Sequence, residues 1–142
     1  MQLSEVYQDA ERQKAAIYSW EIGFADAATI EIGGNYAIFI DLRKCRSLND
    51  YAWKLAHEVS HCATGCTHKL SSGFDLIEKH EYKANRRQIE TYLPVEDLRA
   101  AARKGLREAW EIADELNVPQ YAVEQAVHYW RDLRGEKIDP EG

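Results

Sequence analysis

The chain has 142 residues, of which 45% are hydrophobic and 30% charged, with a formal net charge of −6. That length suits one domain with a proper core, and the composition is that of an ordinary globular chain. The acidic balance gives the bulk surface no electrostatic reason to bind nucleic acid, no apolar run approaches membrane-spanning length, and the polar start from Met1 to Gln8 lacks a signal-peptide core.

From Ser4 to Ser19 the spacing of Leu3, Val6, Tyr7, Ala10 and Ile17 predicts an amphipathic helix covering the back of the helices that follow. At Ala28 the period changes from helix to strand. Ile30 and Ile32 alternate with Thr29 and Glu31, Gly33-Gly34-Asn35 makes a turn, and Tyr36 to Asp41 returns as the second arm of a hairpin.

The next stretch, Leu55-Ala56-His57-Glu58-Val59-Ser60-His61, carries an HExxH pattern. Residues four apart on a helix point the same way, so His57 and His61 can reach one metal ion. Leu48, Ala52, Leu55, Val59 and Cys62 form an apolar stripe, and at about 100° per residue both histidines fall opposite it. A helix packed through that stripe presents them to a cleft, with Glu58 placed to act on a water there as general base. The competing reading is an amphipathic helix with two surface histidines.

Cys62 and Cys66 form a Cys/His cluster with His61 and His68, but Cys-x-x-x-Cys has no second pair downstream and Cys45 stands alone. They read as small buried hydrophobes. Three cysteines, an odd number, argue against a disulfide framework and for a reducing cytoplasm. Cys66 to Gly73 reads as a loop near the cleft, which makes His68, with Tyr82, a candidate to stabilise an oxyanion; a solvated loop histidine is the plainer alternative.

Phe74 to Tyr92 reads as a second helix, with Phe74, Ile77, Ile89 and Tyr92 on one face and Lys79, Lys83, Arg86, Arg87 and Glu90 turned away. Glu81 and Asn85 fall on the apolar face. A carboxylate turned into a core is costly unless paired or bound to metal. A catalytic zinc takes three protein ligands and keeps a fourth place for water, so Glu81 is the expected third ligand of one zinc per chain. Asn85, one turn later, is the expected residue to orient a ligand. A Glu81 paired with a buried Arg or Lys is the alternative.

His57-Glu58-Val59-Ser60-His61-Cys62-Ala63-Thr64-Gly65, the run from Phe74 through Glu81 and Ala84 to Asn85, and then Tyr92-Leu93-Pro94 resemble the ImmA/IrrE family of metallopeptidases. These are zincin-type enzymes of bacteria, prophages and integrative elements. The resemblance spans residues 29–130 and is strongest from Ala56 to Pro94. Ser60 stands where the family usually has glycine, and Arg86-Arg87-Gln88 where it tends to carry an aromatic and a small residue. The resemblance implies a zinc-dependent endopeptidase with ligands His57, His61 and Glu81 and general base Glu58, acting on a cytoplasmic helix-turn-helix repressor. It also suggests that the hairpin lends its edge to an extended substrate segment; a hairpin that only packs on the helices fits the pattern equally.

Beyond Pro94 the chain is helical again: Val95 to Lys104 stopping at Gly105, Leu106 to Leu116, a turn at Asn117-Val118-Pro119, and Gln120 to Leu133. Ala113, Leu116, Val118, Val123, Ala126, Val127 and Trp130 form the shared interior of the last two. The pair resembles a helix-turn-helix, which raises a DNA-binding alternative. Tyr121, Glu124, Gln125, His128, Arg131 and Asp132 face solvent, and two acids against one arginine suit phosphates poorly.

The expected fold is thus α+β: a mostly helical zincin-like domain with a small hairpin beside the ligand helices and a C-terminal helix-turn-helix-like cap. It is expected as a single domain over 1–142, with a catalytic core to residue 94, a helical subdomain over 95–134 and a frayed tail from 135. The expected partner is a protein substrate, with no membrane and no direct nucleic-acid contact. A metal-binding module that docks on a repressor without cutting it is the remaining alternative.

Overall fold

A computed structural model describes residues 1–65 and 74–139, with the backbone alone over 74–78. The fold is α+β, mostly helical, with a three-stranded mixed sheet near the N-terminus. The chain divides into two compact units, Gln2–Gln88 and Ile89–Gly142 together with Met1.

In the first unit, helix α1 spans Leu3–Arg12, with Glu5 in its first turn and Arg12 in its last, each at the end its charge favours. It does not run on to Ser19. Lys14 adopts a left-handed backbone, φ 58°, and the chain reverses into strand β1, Ala15–Ser19. The apolar side chains of this segment fit both periods. What separates the two is the stop at Lys14, whose N–H reaches only back to the Glu11 carbonyl, and the pairing that a neighbouring strand offers.

That neighbour belongs to the expected hairpin. Strands β2 (Ala27–Ile32) and β3 (Asn35–Ile40) pair antiparallel, with Thr29 opposite Ile38. Gly33 and Gly34 both take positive φ, 57° and 84°, as a two-residue turn matched to strand twist requires. Strand β1 adds to β3 in parallel, Ile17 opposite Ile38, giving the order β1-β3-β2. β2 is therefore an edge strand.

Helix α2, Leu48–Thr64, packs against α1, β2 and β3. Its ends are well defined. Ser47 Oγ accepts from the Asp50 N–H at 3.1 Å, and Gly65 closes the helix at φ 67°. Ala52, Leu55, Ala56, Val59 and Cys62 are buried, joined by Val6, Ala10, Ile38 and Ile40 from the elements around them. Helix α3 covers Phe74–Tyr92, the span that periodicity predicts, and the boundary between the two units falls within it.

The second unit holds α4 (Val95–Arg103), α5 (Ala109–Leu116) and α6 (Gln120–Val127), which continues into one π-helical turn, His128–Leu133. The α5 helix starts later than Leu106 because Glu108 and Glu111 form a reciprocal capping box that fixes the first turn. Leu98, Ala101, Ile112, Ala113, Val118, Ala122, Val123, Ala126 and Tyr129 are buried. The segment expected as a frayed tail makes side-chain contacts as far as Asp139. Arg99 donates to the Lys137 carbonyl at 2.7 Å and to Glu136 at 2.9 Å, and Arg107 pairs with Asp139. No helix among the described residues is long and apolar enough to cross a membrane.

Candidate metal centre

Helix α2 carries His57, Glu58 and His61, and α3 brings Glu81 to them. His57 Nε2 lies 3.0 Å from Glu81 Oε2, His61 Nε2 lies 2.9 Å from Glu81 Oε1, and the two imidazole Nε2 atoms are 3.1 Å apart. The rings meet edge to face, 89° between planes, which is how two side chains one turn apart aim both Nε2 atoms at one point. His61 is buried and His57 and Glu81 are half-buried. Hydrogen bonds from His57, then His61, hold the Glu81 carboxyl far below the ordinary glutamate value, so it is ionised.

One contact decides the tautomer of His57. Gln88, buried on α3, donates from Nε2 to the Trp53 carbonyl at 2.7 Å, which leaves its Oε1 to face His57 Nδ1 at 3.3 Å. An acceptor there keeps a proton on Nδ1, so that a metal ion taking the place of the Nε2 proton would meet the Nε2 lone pair where His61 and Glu81 converge. Two imidazole nitrogens and a carboxylate oxygen, all within 4.8 Å of one another, form a group that could hold a metal ion. Ligand atoms at about 2.0–2.2 Å from a tetrahedral ion stand roughly 3.3–3.6 Å apart, a few tenths of an ångström wider than the 2.9–3.1 Å found here.

Glu58 lies beside this group and is buried. Burial raises its carboxyl above the ordinary value, against the pull of His57 and His61. Thr29, on β2, also acts on Glu58. Its Oγ1 is buried and makes no other hydrogen bond among the described residues. The edge strand thus runs beside the part of α2 that holds the carboxylate.

Asn85 is not where the sequence places it. It is exposed, and the amide at the histidine is Gln88. At about 100° per residue Asn85 stands 40° from Glu81 on the open side, whereas Gln88, seven residues on, returns to within about 20° on the buried side. Arg87, expected to turn away with the other charges, is also drawn inward. It donates to both carboxylate oxygens of the buried Asp9, at 2.6 and 3.0 Å, and to Ser60 Oγ at 3.3 Å. The seven-residue step could have found Gln88; nothing in local spacing pairs Arg87 with a residue on α1.

Tyr82 is exposed. His68, Cys66 and the rest of the expected loop lie outside the described residues. Cys62 is buried as expected, and burial pushes its thiol up to about 12. On α6 and the π turn, Tyr121, Glu124, Gln125, His128, Arg131 and Asp132 are exposed as a face, and Arg131 donates to Asp132 at 3.0 Å. Comparison with protein-family models, with curated proteins and with solved structures finds no match to this chain.

Proposed function

We propose that the chain is a zinc-dependent endopeptidase of the zincin type, similar to the ImmA/IrrE enzymes, and that its substrate is a cytoplasmic helix-turn-helix repressor. The observation that carries the reading is the convergence of His57, His61 and Glu81 at contact distance with Glu58 buried beside them. The donor set suits zinc, with three protein ligands and room for a fourth. Bound there, zinc would supply an acidified water and a polarised substrate carbonyl.

The protein's own groups do the rest. The Glu58 carboxylate accepts a proton from the attacking water as its oxygen bonds to the peptide carbon. It then returns that proton to the amide nitrogen as the C–N bond breaks, leaving a carboxylate and an amine. Strand β2 is the open edge nearest Glu58, and an extended peptide paired along it would lie across the carboxylate. The repressor as substrate rests on the resemblance alone.

The face of α6 does not favour the DNA-binding reading, since its arginine is already engaged by an acid. The test is incubation of purified protein and zinc with a helix-turn-helix repressor, read by mass spectrometry for two fragments that sum to the intact chain plus water. Glu58→Gln should keep zinc and lose cleavage by two or more orders of magnitude. Zinc bound through the three ligands with no fragment from any repressor tried would leave a docking module, not a peptidase.

A further inference from the structure

A charged bridge joins three helices immediately behind the metal-binding group. Asp9, on α1, has 1% of its surface accessible. Arg87 grips it with two parallel bonds, Nη1 to Oδ2 at 2.6 Å and Nη2 to Oδ1 at 3.0 Å, the fork geometry that fixes the plane of a guanidinium. With the plane fixed, Nη1 also points at Ser60 Oγ, 3.3 Å away. The hydroxyl proton of Ser60 is committed to the Ala56 carbonyl at 2.8 Å, so its oxygen is free to accept.

The positions matter more than the pairing. Ser60 directly precedes His61, and Arg87 directly precedes Gln88, the residue that meets His57. Arg87 is six residues beyond Glu81 on the same helix. The bridge therefore spans α2 and α3 one residue away from the contacts that hold the histidines, while Asp9 anchors its far side to α1. A metal group built from two helices needs their relative register kept to a fraction of an ångström, and hydrogen bonds behind the ligands are what supply it.

The geometry points to Asp9 and Arg87 as positioning residues of the metal centre, acting through Ser60 to hold Glu81 and Gln88 in register with His57 and His61. This rests on the metal-binding reading above. A buried ion pair that only stabilised the fold would lower the melting temperature and leave the affinity of the folded protein for metal unchanged. A positioning bridge changes affinity and ligand geometry in protein that is still folded.

The experiment uses the full chain with Ser60→Ala, Arg87→Lys and Asp9→Asn, each checked for parent-like circular dichroism well below its melting temperature. Zinc affinity is read by competition with a chelating dye, and ligand geometry by the visible absorption of the cobalt-loaded protein. Ser60→Ala removes only the hydroxyl and favours helix, and Arg87→Lys keeps the charge without the fork, so both test the idea even where Asp9→Asn fails to fold. Each of the two should weaken zinc about tenfold and alter the cobalt spectrum, and Ser60→Ala should add little in the Arg87→Lys background. Parent-like affinity and spectrum in both folded variants would overturn the inference while His61→Ala still lost its zinc. A His61→Ala protein that kept its zinc would overturn the metal reading and this one with it.

Discussion

His57 Nδ1 faces Gln88 Oε1 at 3.3 Å, and because the other end of that amide donates to the Trp53 carbonyl, the ring keeps a proton on Nδ1 and leaves Nε2 as the atom a metal would take. Gln88→Ala should therefore weaken zinc retention ten- to a hundred-fold in a chelator competition. Gln88→Glu keeps an acceptor for the ring but gives up the donor to Trp53, so it should retain zinc better than Gln88→Ala while costing about 1–3 kcal/mol of stability. Asn85→Ala, on the open side of α3, should match the parent. Equal retention in Gln88→Ala and the parent would mean that the amide does not set the tautomer.

Asp41 sets a pH limit at the end of β3. It accepts from the Ile22 N–H at 3.1 Å and from Arg43 through its backbone N–H, Nε and Nη2. The Arg43 side chain, foremost, holds its carboxyl at about 2, below the unfolded value of about 3.9. A lowered folded value means stability that is in place above about pH 4 and is lost as the pH falls through 2. Asp41→Asn should melt earlier than the parent at pH 7, and the gap should close between pH 4 and pH 2. A gap independent of pH would show that shape, not charge, is what Asp41 provides.

Cys62 should resist alkylation. The thiolate is the reactive form, and burial on the apolar side of α2 pushes this thiol up to about 12. Iodoacetamide at pH 8 should leave Cys62 unmodified in native protein and modify it fully in urea, as peptide mapping would show. Modification at the denatured rate in native protein would mean that the packed side of α2 opens on that timescale.

Lys14 should respond to backbone chemistry alone. With φ at 58° it occupies the left-handed region, which costs a residue with a Cβ about 1–2 kcal/mol, partly offset in glycine by greater freedom when unfolded. Lys14→Gly should raise stability to urea by up to about 1 kcal/mol, and Lys14→Val should lower it by more than that. Equal stability of the two variants would show the turn to be more relaxed than its backbone angle states.

The grouping of His57, His61 and Glu81 was legible because it depends on arithmetic within single helices and on one acid placed against an apolar pattern. Both helices that carry this group, the hairpin and its Gly33-Gly34 turn were readable for the same reason, since each is written in local period and turn chemistry. The strand Ala15–Ser19 was not. Its side chains suit a helix or a strand equally, and the choice is made by β3, some twenty residues later in the chain. Asn85 was chosen by a four-residue step where the buried side of α3 follows a seven-residue one. The bridge from Arg87 to Asp9 spans 78 residues, beyond the reach of any periodicity. Yet the two places where the chain departs from the family pattern it resembles, Ser60 and Arg86-Arg87-Gln88, meet in space.

That meeting constrains descent. Losing Arg87 alone would leave the buried Asp9 carboxylate to Arg12 at 3.5 Å and Gln13 at 3.3 Å, and breaking a buried pair from one side typically costs about 3–5 kcal/mol, a large part of what keeps a domain folded. Replacing both together with apolar residues of matching shape would cost little. A lineage therefore does not easily leave this pair one step at a time. Related chains should carry aspartate and arginine at these two positions together or neither of them.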